Sequence, residues 1–176
     1  MTEATARREW WKIVLVTVPA IVVIGWLMGV VSDSGGGNGW YDGLAKPAFQ
    51  PPGWAFGVVW TILYILMGIS VALIIAEPPS PHRRTALTLF FFQLALNFAW
   101  SPIFFGGRMI EVGLVTIIVM LLGATAAANL FRRLRPVAGW LMLPYLAWLC
   151  LATALNYETG KLNPGADSAP LGIIGD

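Results

Sequence analysis

Aromatic and amide side chains recur at helical spacing inside three long uncharged stretches of this chain. The three sets are Phe56, Trp60 and Tyr64; Gln93, Asn97 and Trp100; and Tyr145, Trp148, Ala152 and Asn156. Residues three or four apart share one face of an α-helix, so each set predicts one stripe. Stripes of flat rings and hydrogen-bonding groups could wall a pocket for a planar or polycyclic ligand.

A structural interpretation of the same residues stays open. Amides within a membrane also join helices, and aromatic residues also form belts at the membrane surface. An unpaired amide in hydrocarbon costs several kcal/mol, so both interpretations place Gln93, Asn97 and Asn156 inside a bundle or facing a cavity. The occurrence of three stripes together favours the pocket.

Acid–base and metal chemistry have little support in these stretches. They contain no Asp, Glu, Lys, Arg or His, whereas proton relays and ion-coupled carriers usually keep ionisable groups there. The single histidine, His82, precedes Arg83 and Arg84, so we expect a solvated loop residue rather than a metal ligand. We therefore predict no metal site and identify no catalytic residue.

Five uncharged stretches must position these side chains. They cover residues 13–32, 47–76, 85–107, 112–131 and 136–157. Each reaches the roughly 20 residues that a helix needs to cross a bilayer. With 57% apolar and 11% charged residues, the chain is predicted to be an all-α membrane protein, a five-transmembrane-helix bundle in a lipid bilayer. A nucleic-acid partner is not expected.

The stretches suggest three regions. They are an N-terminal segment (residues 1–12), a five-helix transmembrane domain (residues 13–157) and a C-terminal tail (residues 158–176). The part of the tail from residue 163 onward is expected to be disordered.

Lys and Arg are distributed unequally between the two ends of the predicted spans. Eight lie on the N-terminal side: Arg7, Arg8, Lys12, Arg83, Arg84, Arg132, Arg133 and Arg135. Three lie on the other side: Lys46, Arg108 and Lys161. Because basic residues are retained in the cytoplasm, this bias predicts a cytoplasmic N-terminus and a C-terminus outside, and suits a bacterial cytoplasmic membrane.

The loop after the first span has a flexible part and a rigid part. Residues 34–39 are glycine-rich and flexible, whereas Pro47, Pro51 and Pro52 impose extended backbone before the second span. Trp40 and Tyr41 lie between these parts. We expect this loop to act as a lid.

The motifs resemble the translocator protein family, also called tryptophan-rich sensory proteins or the peripheral benzodiazepine receptor. The first block is Trp40-Tyr41, Leu44, Lys46-Pro47, Pro51-Pro52, Trp54, Phe56, Trp60 and Leu63-Tyr64; the second runs from Gln93 through Asn97 and Trp100 to Gly106; the third runs from Pro144 through Trp148 to Tyr157. Together the blocks span residues 40–157.

The resemblance implies a five-helix bundle, expected to be a homodimer, that binds porphyrins such as protoporphyrin IX, haem, or sterols. It implies a ligand cavity lined by Trp60, Asn97 and Trp148, with Phe56, Tyr64, Trp100, Tyr145 and Ala152 beside them and Trp40 and Tyr41 in the covering loop. Leu155, Tyr157 and Lys161 correspond to the family's weak sterol-recognition pattern. No cofactor is required for such binding.

Small residues four apart offer a separate basis for helix association in lipid. The pairs are Gly25 with Gly29, Gly123 with Ala127, and Ala124 with Ala128. Packing within one bundle uses the same spacing, so both possibilities stay open.

The resemblance leaves three functions open. The leading hypothesis is a membrane receptor or sensor that holds a tetrapyrrole by aromatic stacking. The alternatives are a light-dependent porphyrin-degrading enzyme and a transporter of porphyrins or sterols. The sequence shows no inverted repeat of the carrier kind.

Overall fold

A computed structural model describes residues 9–174 as a bundle of helices. The helices are α1 (Trp10–Val31), α2 (Gly39–Gly43), α3 (Gly53–Ile75), α4 (Pro81–Ser101), α5 (Ile110–Leu134), α6 (Pro136–Leu141) and α7 (Leu143–Leu162), with a π-helical turn at Pro102–Gly106. Three of these elements are short: α2 lies in the loop between α1 and α3, the π turn extends α4, and α6 continues into α7.

Five segments are long and apolar enough to cross a membrane. They are α1, α3, α4 with its π turn (Pro81–Gly106), α5, and α6 with α7 (Pro136–Leu162). The predicted all-α membrane protein with a five-transmembrane-helix bundle is confirmed. An odd number of crossings places residues 9 and 174 on opposite sides of the membrane.

Proline determines where several helices begin. Pro81 and Pro136 occupy the first turns of α4 and α6, where a missing N–H costs no helical bond. Ser80 caps α4 by accepting the N–H of Arg83 at 3.1 Å. Pro52 is extended and precedes α3, so the helix begins at Gly53 and residues 47–52 belong to the loop rather than to the second span.

The core lies where α4 packs on α5, α1 on α3 and α5 on α7. Met67, Val71, Phe90 and Phe131 are fully buried there. A methyl group on Gly68 would lie 2.8 Å from Cα of Val18, so glycine is what allows α1 and α3 to approach each other.

The small-residue pairs pack within this chain. A Cβ on Gly25 would meet the ring of Tyr64, and one on Gly123 would lie 3.4 Å from Cβ of Gln93. Ala124 and Ala127 are fully buried. The homodimer stays a prediction, because these positions are already used between helices of the bundle.

The expectation of a disordered tail from residue 163 is wrong for the residues described up to Ile174. Helix α7 runs to Leu162, and residues 163–174 then fold back on the bundle. The N–H of Ser168 donates to the carbonyl of Arg108 at 3.0 Å, and the N–H of Ile174 donates to Oε1 of Glu111. Its position at the end of the chain suggested disorder, but specific long-range hydrogen bonds order this segment.

Candidate functional site

A cavity of about 750 Å³ lies between the helices, and residues of the α1–α3 loop (residues 32–52) line one end of it. Side chains from α1, α3, α4, the π turn, α5 and α7 line it, together with loop residues 33–36, Tyr41, Asp42, Lys46 and Gln50. Its volume falls in the range of about 300–1,000 Å³ that is usual for small-molecule and cofactor sites.

Aromatic rings form one wall of the cavity. Phe56, Trp60 and Tyr64 follow each other on one face of α3, and Trp148 approaches them from α7. The Trp148 ring centroid lies 5.6 Å from that of Phe56 and 6.3 Å from that of Trp60, with interplanar angles of 74° and 83°. These edge-to-face contacts hold the rings in fixed orientations along the cavity.

A hydrogen-bonded network lies behind this wall. Tyr64 donates its hydroxyl to Oδ1 of Asn97 at 3.1 Å, and Nδ2 of Asn97 donates to the hydroxyl oxygen of Tyr145 at 3.0 Å. Tyr145 then donates to Oε1 of Gln93 at 2.7 Å. The network joins α3, α4 and α7 and holds the Asn97 amide in one orientation. The prediction that Gln93, Asn97 and Asn156 face the bundle interior is confirmed, since all three are buried.

The loop end of the cavity carries its charges. Lys46 lies over the Tyr41 ring, with Nζ 3.6 Å from the ring centroid, and donates to the Tyr41 carbonyl. Burial lowers the pKa of Lys46, although the nearby Asp42 charge opposes this. Burial raises the pKa of the Tyr41 phenol, against a hydrogen bond with Gln50. The deep end of the cavity is uncharged, so the site carries charge at one end only.

Eight of the ten predicted ligand-binding residues line this cavity. They are Tyr41, Phe56, Trp60, Tyr64, Asn97, Trp100, Trp148 and Ala152. The other two, Trp40 and Tyr145, do not line it. Tyr145 is fully buried behind the wall and supports Asn97. Trp40 lies beside Phe104, at 5.5 Å between ring centroids, and its Nε1 donates to the carbonyl of Ala166.

The residues of the sterol pattern do not share one surface. Leu155 is buried and lines the cavity, whereas Tyr157 is 42% exposed on the outside of the bundle. Lys161 lies over the Tyr157 ring and pairs with Glu158 at 3.3 Å. The structure therefore does not bring these three residues together.

Sequence reasoning did not assign α1 to the site. Gly25, Trp26, Gly29 and Val30 all line the cavity. Nε1 of Trp26 donates to Oγ1 of Thr61 on α3 at 3.3 Å, which holds the indole against the neighbouring helix. The spacing of Gly25 and Gly29 was the available signal, but it was compatible with any close helix contact.

Within residues 9–174 no three His, Cys, Asp or Glu side chains are grouped closely enough to hold a metal ion. The cavity offers flat aromatic surface, the Asn97 amide and the Tyr64 phenol at depth, and one ammonium group with two carboxylates at the loop end. This arrangement suits an amphiphilic ligand with a large apolar body and a polar edge.

The fold and the cavity together define a polytopic helical membrane protein with an aromatic cavity of ligand size between its helices. Residues 16–162 match the TspO/MBR family. The chain belongs to this family.

Named relatives agree with the family match. The translocator protein of Homo sapiens is 40% identical over 133 residues, which is 74% of this chain and 79% of that protein. The tryptophan-rich sensory protein of Cereibacter sphaeroides is 40% identical over 124 residues, 70% of this chain and 77% of that protein. Protein CrtK of Rhodobacter capsulatus is 38% identical over 128 residues, 72% and 79% of the two chains.

Proposed function

We propose that this protein is a membrane receptor or sensor that binds a tetrapyrrole, such as protoporphyrin IX or haem, in the cavity. The observation that carries the proposal is the wall formed by Phe56, Trp60 and Trp148 along a cavity of about 750 Å³. A macrocycle offers a flat face that can stack on these rings. Each aromatic contact of this kind contributes about 0.5–1.5 kcal/mol beyond the burial of apolar area.

In this proposal the ligand binds with its polar edge, which carries the propionates, at the loop end of the cavity. Lys46 is the single Lys or Arg among the described residues that line the cavity. Its ammonium group has three donors, and the Tyr41 carbonyl uses one of them. A propionate of the ligand could accept a hydrogen bond from another. Asp33 and Asp42 line the same end and weaken the attraction, so the expected contribution is modest.

Asn97 supplies the second polar contact. Its Oδ1 accepts the Tyr64 hydroxyl and keeps a further lone pair, while the buried network prevents the amide from turning. A pyrrole N–H or a sterol hydroxyl could donate to this oxygen. A sterol is therefore the competing ligand that any binding experiment should include.

We propose the orientation that the charge bias predicts, with the N-terminus in the cytoplasm, the C-terminus outside and a bacterial cytoplasmic membrane as the location. The α1–α3 loop and the loop end of the cavity then face the outside. In this orientation the ligand would reach the cavity from the outer side.

Tryptophan quenching with protoporphyrin IX tests the function. We expect saturable quenching by the purified protein in detergent, and at least about tenfold weaker binding for Trp148→Ala, which corresponds to about 1.4 kcal/mol. Trp140→Ala is the matched control, because Trp140 is 59% exposed and does not line the cavity.

Cholesterol should be titrated side by side, as a competitor of the porphyrin. Displacement of the porphyrin by the sterol at a lower concentration would make the sterol the better ligand. Quenching that is equal in the wild type, Trp148→Ala and Trp140→Ala would reject the cavity as the binding site.

A further inference from the structure

The C-terminal segment (residues 163–174) contacts the α1–α3 loop at two points. The Asn163 side chain makes two hydrogen bonds with the backbone of Ala45: Nδ2 donates to the carbonyl at 2.9 Å, and Oδ1 accepts the N–H at 2.8 Å. Farther along the segment, the carbonyl of Ala166 accepts Nε1 of Trp40 at 3.3 Å. These contacts flank Tyr41 and adjoin Lys46, two of the loop residues that line the cavity.

The same segment is fastened to the beginning of α5. Met109 precedes α5 and provides no side-chain cap. Oδ2 of Asp167 accepts the N–H of Glu111 at 2.7 Å and so caps the helix from 56 residues away. A carboxylate at this position is also favoured by the helix dipole.

Glu111 holds the end of the segment. Its side chain is buried, and its carboxylate accepts backbone N–H groups from Leu171, Ile173 and Ile174. Hydrogen bonds to an ionised acceptor are stronger than those between neutral groups. Ile174 fills the space above Gly160, where a Cβ would lie 2.4 Å from Cδ1 of the isoleucine.

A few internal hydrogen bonds hold the α1–α3 loop, among them the Tyr41 N–H to Oδ1 of Asn38 and the Gly37 N–H to Oδ2 of Asp42. Gly35 and Gly37 have φ of 107° and 102°, in the left-handed region where glycine carries no steric cost. Helix α2 has only five residues, which is too short to be stable alone. The Tyr41 ring also packs on Phe104 and Phe105, and the C-terminal segment adds a second anchor from outside the loop.

We propose that the C-terminal segment is a latch: docked on Glu111, it positions the α1–α3 loop at the end of the cavity and thereby sets the rates of ligand uptake and release. Asn163 and Glu111 are its positioning residues, and neither needs to touch the ligand. The inference rests on the proposed ligand site, but the coupling between latch and loop can be tested without any ligand.

Hydrogen exchange measured by mass spectrometry tests the coupling directly. Glu111→Gln removes the buried charge, and Asn163→Ala removes both bonds to Ala45. We expect faster exchange of loop amides 38–46 in both variants, and faster exchange of residues 171–174 in Glu111→Gln, with α3 unchanged. Glu158→Gln is the matched control, because Glu158 pairs only with the exposed Lys161 in the described contacts.

Stopped-flow tryptophan quenching with protoporphyrin IX tests the effect on exchange of ligand. We expect Glu111→Gln and Asn163→Ala to raise the dissociation rate about tenfold while the association rate also rises, so that affinity changes less than either rate. A variant that merely destabilised the bundle would instead show faster amide exchange throughout α3. Its quenching amplitude would also fall, because fewer molecules would be folded and able to bind.

Two results would overturn the latch. One is release of residues 171–174 in Glu111→Gln without faster exchange in the loop; the other is unchanged exchange at residues 171–174 themselves. If the loop amides exchanged faster but the association and dissociation rates of the ligand stayed at wild-type values, the latch would not control ligand uptake or release. Absence of porphyrin binding to the wild type would reject the proposed ligand, yet the exchange experiment would still decide whether latch and loop are coupled.

Discussion

Gly25 on α1 lies directly against the ring of Tyr64 on α3: a Cβ at residue 25 would be 2.2 Å from Cε2 of the tyrosine. The Tyr64 ring cannot simply retreat, because Trp60 packs on it at 5.3 Å between centroids and its hydroxyl is bonded to Asn97. Both Gly25 and Tyr64 line the cavity. One glycine therefore connects helix packing to the shape of the ligand site.

The first prediction concerns this contact. Gly25→Ala should displace the Tyr64 ring, break its bond to Asn97 and narrow the cavity, with a loss of about 1–3 kcal/mol in stability, as is typical of overpacking. Thermal unfolding in detergent and porphyrin titration measure the two effects. Both the melting temperature and the affinity should fall.

Gly57→Ala is the control for Gly25→Ala. Gly57 also lines the cavity, but a Cβ there would lie 3.8 Å from Cη2 of Trp26, an ordinary contact distance. Alanine is also the better helix former, so stability should stay within about 0.5 kcal/mol of the wild type or rise. Equal losses in the two variants would show that the Tyr64 contact has no special importance.

The second prediction concerns the buried network. Tyr145→Phe removes the hydroxyl that accepts from Asn97 and donates to Gln93. The buried Gln93 oxygen then loses this donor, and the Asn97 amide keeps only the Tyr64 hydroxyl and the Met120 sulfur. The expected loss is about 1–3 kcal/mol, above the average of about 0.6 for a single interhelical hydrogen bond in a membrane protein. Thermal unfolding of the purified protein measures it.

Tyr157→Phe provides the comparison, since Tyr157 is 42% exposed on the outside of the bundle. It should unfold at the wild-type temperature. If Tyr145→Phe were as stable as Tyr157→Phe, the network would be incidental to the fold, and Asn97 would be free to turn towards a ligand.

The sequence predicted the features that follow from placing each helix, by itself, in the hydrocarbon of a membrane. A span must be uncharged for about 20 residues, and an amide in it must face inward, so Gln93, Asn97 and the five crossings follow from composition and spacing. The stripe of Phe56, Trp60 and Tyr64 follows from the geometry of one helix. Such features need no knowledge of which helix is the neighbour.

The remaining features depend on contacts between distant residues. Helix α1 is apolar on every side, so no stripe revealed that Gly25 and Trp26 face the cavity. Trp40 was expected beside the ligand, but its indole N–H bonds to Ala166, 126 residues away. The order of the C-terminal segment likewise depends on Glu111, which lies outside the segment. Local pattern carries no information on such pairings.

The third prediction separates charge recognition from ring stacking. Lys46→Gln should weaken the binding of protoporphyrin IX about threefold to tenfold and leave the binding of the uncharged dimethyl ester unchanged. The effect is moderate because two carboxylates, Asp33 and Asp42, line the same end of the cavity and offset part of the lysine charge. Quenching titrations with the two porphyrins measure the difference. Lys161→Gln is the control, since Lys161 is an exposed lysine on the same side of the bundle.

Two outcomes would contradict a charge contact at Lys46. An equal loss for the diacid and the diester would mean that Lys46 supports the loop rather than the ligand. No loss for either porphyrin would place the carboxylates elsewhere. In both cases stacking on Trp60 and Trp148 would still be tested by the tryptophan variants.

The fourth prediction is the pH dependence of that preference. Burial lowers the pKa of Lys46, so its ammonium form is lost at a lower pH than in an ordinary lysine. The ratio of diacid to diester affinity should therefore be highest where Lys46 is protonated and the propionates are ionised, above roughly pH 5. It should decline as the pH rises through the Lys46 pKa. Tyr41 does not interfere, because burial raises its pKa and keeps the phenol neutral.

Titrations of both porphyrins between about pH 6 and pH 10 measure this ratio, and Lys46→Gln supplies the reference. In the variant the ratio should not change with pH, since Lys46 is the one Lys, Arg or His among the described residues that line the cavity. A decline of the same size in Lys46→Gln would assign the titration to the ligand itself. A wild-type ratio that persisted to the pH at which exposed lysines titrate would contradict the desolvation of Lys46 at the loop end.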